Sequence, residues 1–90
     1  MKRSKEKLTQ KIKTKGLVIP TDWDEKGNVS AVVISTHNEE EYAVKLNKKG
    51  RELLSIIRAP VKVSGQLTMS EFNKIIDIEE YSILSNIVKN

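Results

Sequence analysis

The sequence predicts an all-β domain, a five-stranded barrel in the order β-β-β-α-β-β with one capping helix. Three observations lead there. Runs that alternate in hydrophobicity or are rich in β-branched residues recur along residues 11–84. A single segment, residues 48–58, changes to helical spacing. Gly16 and Gly65 interrupt two strand-like runs, where a strand that coils sharply to close a sheet has use for glycine.

The first strand is read over residues 11–20, KIKTKGLVIP, with Ile12, Thr14, Gly16 and Val18 on one parity. Pro20 suits its end, where no ladder donor is needed. DWDEKGN, residues 22–28, is turn chemistry, with Gly27 free to take a positive φ. Residues 29–36, VSAVVIST, are β-branched almost throughout and form the second strand. After a tight connection at His37, Asn38 and Glu39, residues 40–46 alternate Tyr42, Val44 and Leu46 against Glu41, Ala43 and Lys45. This is the half-buried third strand, and its parity buries Tyr42.

In residues 48–58, Leu53, Leu54, Ile56 and Ile57 make one apolar stripe, which predicts a helix of about three turns. Pro60 ends it and opens the fourth strand, residues 61–67. A polar loop over residues 68–71 leads to a last strand over residues 72–84. The last strand slips phase near Glu79 and Glu80, because Ile76 and Ile78 share a parity that Tyr81 and Ile83 do not. A bulge there, or an end to pairing, reconciles the two halves.

Ninety residues fit one small domain. The organisation read is a basic disordered arm over residues 1–10, a barrel over 11–84 and a tail over 85–90. With no cysteine, disulfides and thiolate metal sites are excluded. No apolar run approaches the roughly 20 residues of a membrane span, and the basic start is not followed by a hydrophobic segment. A cytoplasmic protein with no membrane partner is expected.

The net charge of +4 is unevenly spread. Residues 1–15 hold seven cations, Lys2, Arg3, Lys5, Lys7, Lys11, Lys13 and Lys15, against one anion. Residues 16–90 hold nine cations and eleven anions. The chain is a slightly acidic body with a basic arm. Such an arm attracts phosphate backbones and anionic lipid surfaces without sequence preference, or serves only to solubilise a terminus.

The strand order, the KTKGLVIP first strand and the PVKVSGQLT fourth strand resemble an oligonucleotide/oligosaccharide-binding (OB) fold over about residues 11–84. The segment VIPTDWD…GNV is similar to that of small, uncharacterised single-domain members. The resemblance is one of pattern, so it implies a fold more than a function. It implies a ligand face on the second and third strands, flanked here by loops at about Thr21–Asn28 and Thr68–Asn73. That face departs from the single-strand-binding pattern, since its second strand has no aromatic and its hairpin tip is Glu39-Glu40-Glu41.

Trp23 stands among Asp22, Asp24 and Glu25 and has two readings. It is a stacking platform or protein-contact anchor, or, the favoured reading, a lid over the open barrel end. The same loop begins like a calcium loop, but Lys26 and Val33 stand at the fifth and twelfth positions, where oxygen ligands are needed. His37 beside three glutamates lacks the ligand set of a selective metal site. It also has no convergent nucleophile, and no glycine-rich phosphate loop occurs. No catalytic residue, metal or cofactor is expected.

A non-enzymatic binding module is expected, binding single-stranded nucleic acid weakly. The arm supplies electrostatic affinity, Lys13, Lys15, Lys45 and Trp23 form a weak single-strand track, and Arg58 and Lys62, which bracket Pro60, form a patch with the arm. The alternative is a protein-interaction or assembly domain that uses the Trp23 loop and the acidic hairpin. The residues leave the oligomeric state open.

Overall fold

The computed structural model describes residues 8–84. It is mostly β, with strands β1 (Leu8–Trp23), β2 (Val29–Ser35), β3 (Glu41–Val44), β4 (Pro60–Met69) and β5 (Lys74–Ile83). A short helix α1 (Lys48–Glu52) and a 3-10 turn (Leu53–Ser55) stand between β3 and β4. The five strands form one closed sheet in the order β1-β2-β3-β5-β4, and β4 returns to β1. All pairings are antiparallel except β3 with β5. The parallel seam is brief, joining Ala43 to Ile75 and Val44 to Ile76.

β1 is long enough to belong to two ladders. Its N-terminal half pairs with β4 from Leu8↔Met69 to Leu17↔Pro60, and its C-terminal half pairs with β2 from Leu17↔Ser35 to Trp23↔Val29. The strand changes partner at Gly16 and Leu17. A Cβ on Gly16 would stand 2.6 Å from the Ser35 carbonyl oxygen, so only glycine lets the end of β2 approach β1 there without displacement. Gly65 answers the same demand on β4, where a Cβ would run into the Asp77 backbone of β5.

The phase slip in β5 is a bulge and not an end to pairing, which continues to Val61↔Ile83. Ser64 pairs with Glu80 and Gly65 with Ile78, leaving Glu79 as the extra residue of β5. Val18, Val32, Ile34, Val44, Leu53, Val61, Val63, Leu67, Ile76 and Ile78 form the buried core, and half-buried Tyr42 and Tyr81 pack against it.

Several boundaries differ from the sequence expectation. β1 starts at Leu8, so residues 8–10, read as part of the arm, pair with Leu67–Met69 of a β4 that runs two residues further than expected. The rest of the arm and the tail from residue 85 lie outside the described residues. β1 also runs on to Trp23, which shortens the turn, and β3 stops at Val44, leaving Leu46 37% exposed. The last strand begins at Lys74, because residues 70–73 close a loop in which the Ser70 N–H donates to the Asn73 carbonyl (2.9 Å).

The helix is the largest correction. Three turns are expected, and one α turn plus a 3-10 turn form instead. The chain leaves the helix to rejoin β1: the Arg58 N–H donates to Val18 (2.6 Å) and Val18 donates to Ala59 (3.1 Å), extending the β1–β4 ladder. Of the predicted stripe, Leu53 is fully buried, while Leu54, Ile56 and Ile57 flank the core.

Candidate nucleic-acid interface

Alternation along β1 sends Ile12, Thr14 and Gly16 to one side, and leaves Lys11, Lys13 and Lys15 exposed on the other. The register sets Lys11 opposite Gln66, Lys13 opposite Ser64 and Lys15 opposite Lys62. On the next strand Lys62 faces Ser82 and Ser64 faces Glu80. Four cations therefore share one outer face of β1 and β4.

Their circumstances differ. Lys11 donates to Glu79 Oε1 at 2.7 Å, and this bond holds the ammonium pKa up and the carboxyl pKa down. Lys13, Lys15 and Lys62 pair with no carboxylate among the described residues. Like charges directly opposite in an antiparallel ladder oppose the fold. Their charge is thus available to an anion from solution.

Two shallow clefts meet at these lysines. One, of about 320 Å³, lies between the N-terminal half of β1 and the β2–β3 connection, and Lys13, Thr14, Lys15, Thr36, His37, Asn38 and Lys62 line it. The other, of about 250 Å³, lies over β4 and β5, lined by Lys13, Lys62, Val63, Ser64, Glu80, Tyr81 and Ser82. Lys13 and Lys62 border both. The first offers ammonium, hydroxyl, amide and imidazole groups, a set that suits a phosphate.

The other predicted residues do not join them. Lys2, Arg3, Lys5 and Lys7 lie outside the described residues. Lys45 stands apart from them, in an exposed ion pair 3.6 Å from Asp77 Oδ2. That aspartate also takes a hydrogen bond from Asn47, the cap of α1. Arg58 is exposed in the turn before β4 and has a φ of 69°.

Trp23 is not a lid. It pairs with Val29 at the far end of β1 and is 57% exposed. Two register irregularities, between Pro20 and Asp22 and between Asp22 and Trp23, mark this strand end, where Thr21, Asp22 and Trp23 are all exposed. Next to it Asp24 accepts from the Asn28 N–H (2.9 Å) and the Lys26 N–H (2.8 Å). These bonds, that from Asn28 foremost, lower its pKa.

The β2–β3 face, which the resemblance implies as the ligand face, presents Val33 beside Ala43 and Ser35 beside Glu41. Tyr42 turns to the core, as its parity predicts. At the hairpin tip Glu40 pairs with Lys74 of β5. The cationic face is β1–β4 instead. His37 lies at its edge, and no group of three or more His, Asp or Glu side chains among the described residues is placed to hold a metal ion.

Two residues escaped the sequence reading. Phe72, at the expected start of the last strand, is 86% exposed in the β4–β5 loop. Glu80 is set in the second cleft, and only the bulge, already legible as a phase slip, hinted at its placement. No helix among the described residues is long and apolar enough to cross a membrane. Comparison of the chain with protein-family models, with curated proteins and with solved structures finds no match in any of the three.

Proposed function

We propose that the chain is a non-enzymatic binding module on an OB-type barrel, and that it takes single-stranded nucleic acid by its phosphates along the outer face of β1 and β4. The strand order β1-β2-β3-β5-β4, with the helix between β3 and β4, supports the barrel assignment. One observation carries the function: Lys15 faces Lys62, with Lys13 beside them, and no described carboxylate pairs with any of the three. A polyanion relieves that repulsion and gains affinity by releasing its own counterions. Lys2, Arg3, Lys5 and Lys7 add sequence-independent attraction. Binding is weak, because Tyr81, the aromatic that borders these clefts among the described residues, packs against the core and bonds to Glu52 and so offers no stacking platform.

The test is fluorescence anisotropy of a labelled single-stranded oligonucleotide at low salt. The wild type is compared with a Lys13→Gln, Lys15→Gln, Lys62→Gln variant and with one in which the four arm cations are replaced by Gln. Both variants bind more weakly if the reading is right. A strand-face variant that binds as tightly as the wild type overturns it.

A second reading rests on Trp23, which is 57% exposed beside Asp22, Asp24 and Glu25. It is a protein contact with a cationic or neutral partner. Partner capture that is lost on Trp23→Ala favours that reading.

A further inference from the structure

Glu80 is an odd residue to find in a face built to attract phosphate. It borders the second cleft together with Lys13, Lys62, Ser64 and Ser82. The bulge at Glu79 puts it there: with Ser64 paired to Glu80 and Gly65 to Ile78, two successive acids reach the outer side of β5. The two are used differently. Glu79 takes hydrogen bonds from Lys11 (2.7 Å) and Gln66 (3.5 Å). Glu80 accepts none from a described side chain and pairs with no described cation, although lysines border the same cleft.

A carboxylate beside bound phosphates repels them unless the ligand gives it a hydrogen bond. Along a nucleic-acid strand the group between successive phosphates is the sugar. Ribose carries a 2′-hydroxyl that donates, and deoxyribose has nothing there to offer. An ionised carboxylate is acceptor-only, while Ser64 and Ser82 can donate or accept beside it. The cleft therefore sets two ammonium groups beside acceptors suited to a hydroxyl.

Resting on the nucleic-acid reading above, we infer that the chain prefers single-stranded RNA to DNA, with Glu80 accepting a hydrogen bond from a ribose 2′-hydroxyl while Lys13 and Lys62 hold the adjoining phosphate. A charge-assisted hydrogen bond of this kind supports a preference of about tenfold.

The experiment measures anisotropy of short labelled RNA, DNA and 2′-O-methyl strands of one sequence made only of A and C, so that no base differs. Full-length wild type and Glu80→Ala are compared, and thermal melting verifies that both are folded. The wild type should bind RNA about tenfold more tightly than DNA. The 2′-O-methyl strand, which has lost the donor, should bind like DNA. Glu80→Ala should bring the RNA-to-DNA ratio close to one without weakening DNA binding, because it removes a negative charge. Equal binding of RNA and DNA by the wild type overturns the inference and leaves the nucleic-acid reading standing, as does a preference that survives Glu80→Ala. Failure of every strand to bind overturns both.

Discussion

Lys15 of β1 and Lys62 of β4 stand directly opposite each other on the outer face of the sheet, and neither pairs with a described carboxylate. Such a pair opposes folding. Replacing Lys62 by Gln should therefore raise the thermal midpoint slightly at low salt while weakening nucleic-acid binding. At 0.1 M salt the Debye length is about 10 Å, so added salt should erase most of the stability gain. Melting curves at low and moderate salt measure this. A variant less stable than wild type at low salt would mean that the repulsion is compensated within the protein.

Gly16 and Gly65 stand where neighbouring backbone leaves no room for a methyl group. Gly65→Ala and Gly16→Ala should each destabilise the fold by about 1–3 kcal/mol, the usual range for overpacking. Denaturant unfolding reads the change. Unaltered stability in both variants would contradict the closely wrapped sheet.

Asn47 links the helix to β5. Its side chain accepts from the Gly50 N–H (2.7 Å), and it donates to Asp77 and to the Ile78 carbonyl (3.3 Å). Asn47→Ala removes the cap and its ties, and should cost about 1–2 kcal/mol in denaturant unfolding. It should also leave Lys45, which stands 3.6 Å away, as the remaining side-chain partner of Asp77 among the described residues. Asn47→Asp keeps the cap acceptor but sets a second carboxylate against Asp77, so it should recover only part of the loss.

Stability should pass through a plateau with pH and fall on both sides. Asp24 is held below the ordinary carboxylate range by the backbone bonds from Asn28 and Lys26, and Glu79 by its bond from Lys11. Groups whose folded pKa is lowered stabilise above the unfolded pKa of about 4, and that contribution is lost as pH falls through the folded value. Lys11 and Lys74 are raised by their bonds to Glu79 and Glu40, and Tyr81 by its bond to Glu52 (2.8 Å). Their contribution is complete below about pH 10 and is lost as pH rises through the folded values. Thermal midpoints measured across the range test both limbs. Lys11→Met should flatten the acid limb by releasing Glu79, and an unchanged profile would contradict that assignment.

The elements legible in the sequence were those whose cause is local. Alternation marked the cores of the strands, Pro60 marked the start of β4, and the parity break at Glu79 and Glu80 marked a bulge that is present. The length of the helix was not legible. Leu53, Leu54, Ile56 and Ile57 keep helical spacing, yet the chain leaves the helix early because Arg58 and Ala59 bond to Val18, some forty residues earlier. The cations of β1 were legible as a set, since alternation puts Lys11, Lys13 and Lys15 on one side. Their meeting with Lys62 depends on the register between β1 and β4, which periodicity does not contain. Lys45 looked equivalent to them until β5 brought Asp77 beside it. Trp23 looked like a lid because a small core needs aromatic area, but it stands exposed at the irregular end of β1.

The most direct test is the salt dependence of affinity for a single strand, compared between the wild type and the Lys13→Gln, Lys15→Gln, Lys62→Gln variant. Each phosphate contact on a single strand contributes about −0.7 to the slope of log affinity against log salt. Loss of three contacts should make the slope shallower by about 2. A weaker variant with that change in slope is the predicted result. Equal slopes and equal affinities would show that these lysines do not hold the ligand, and would contradict the account.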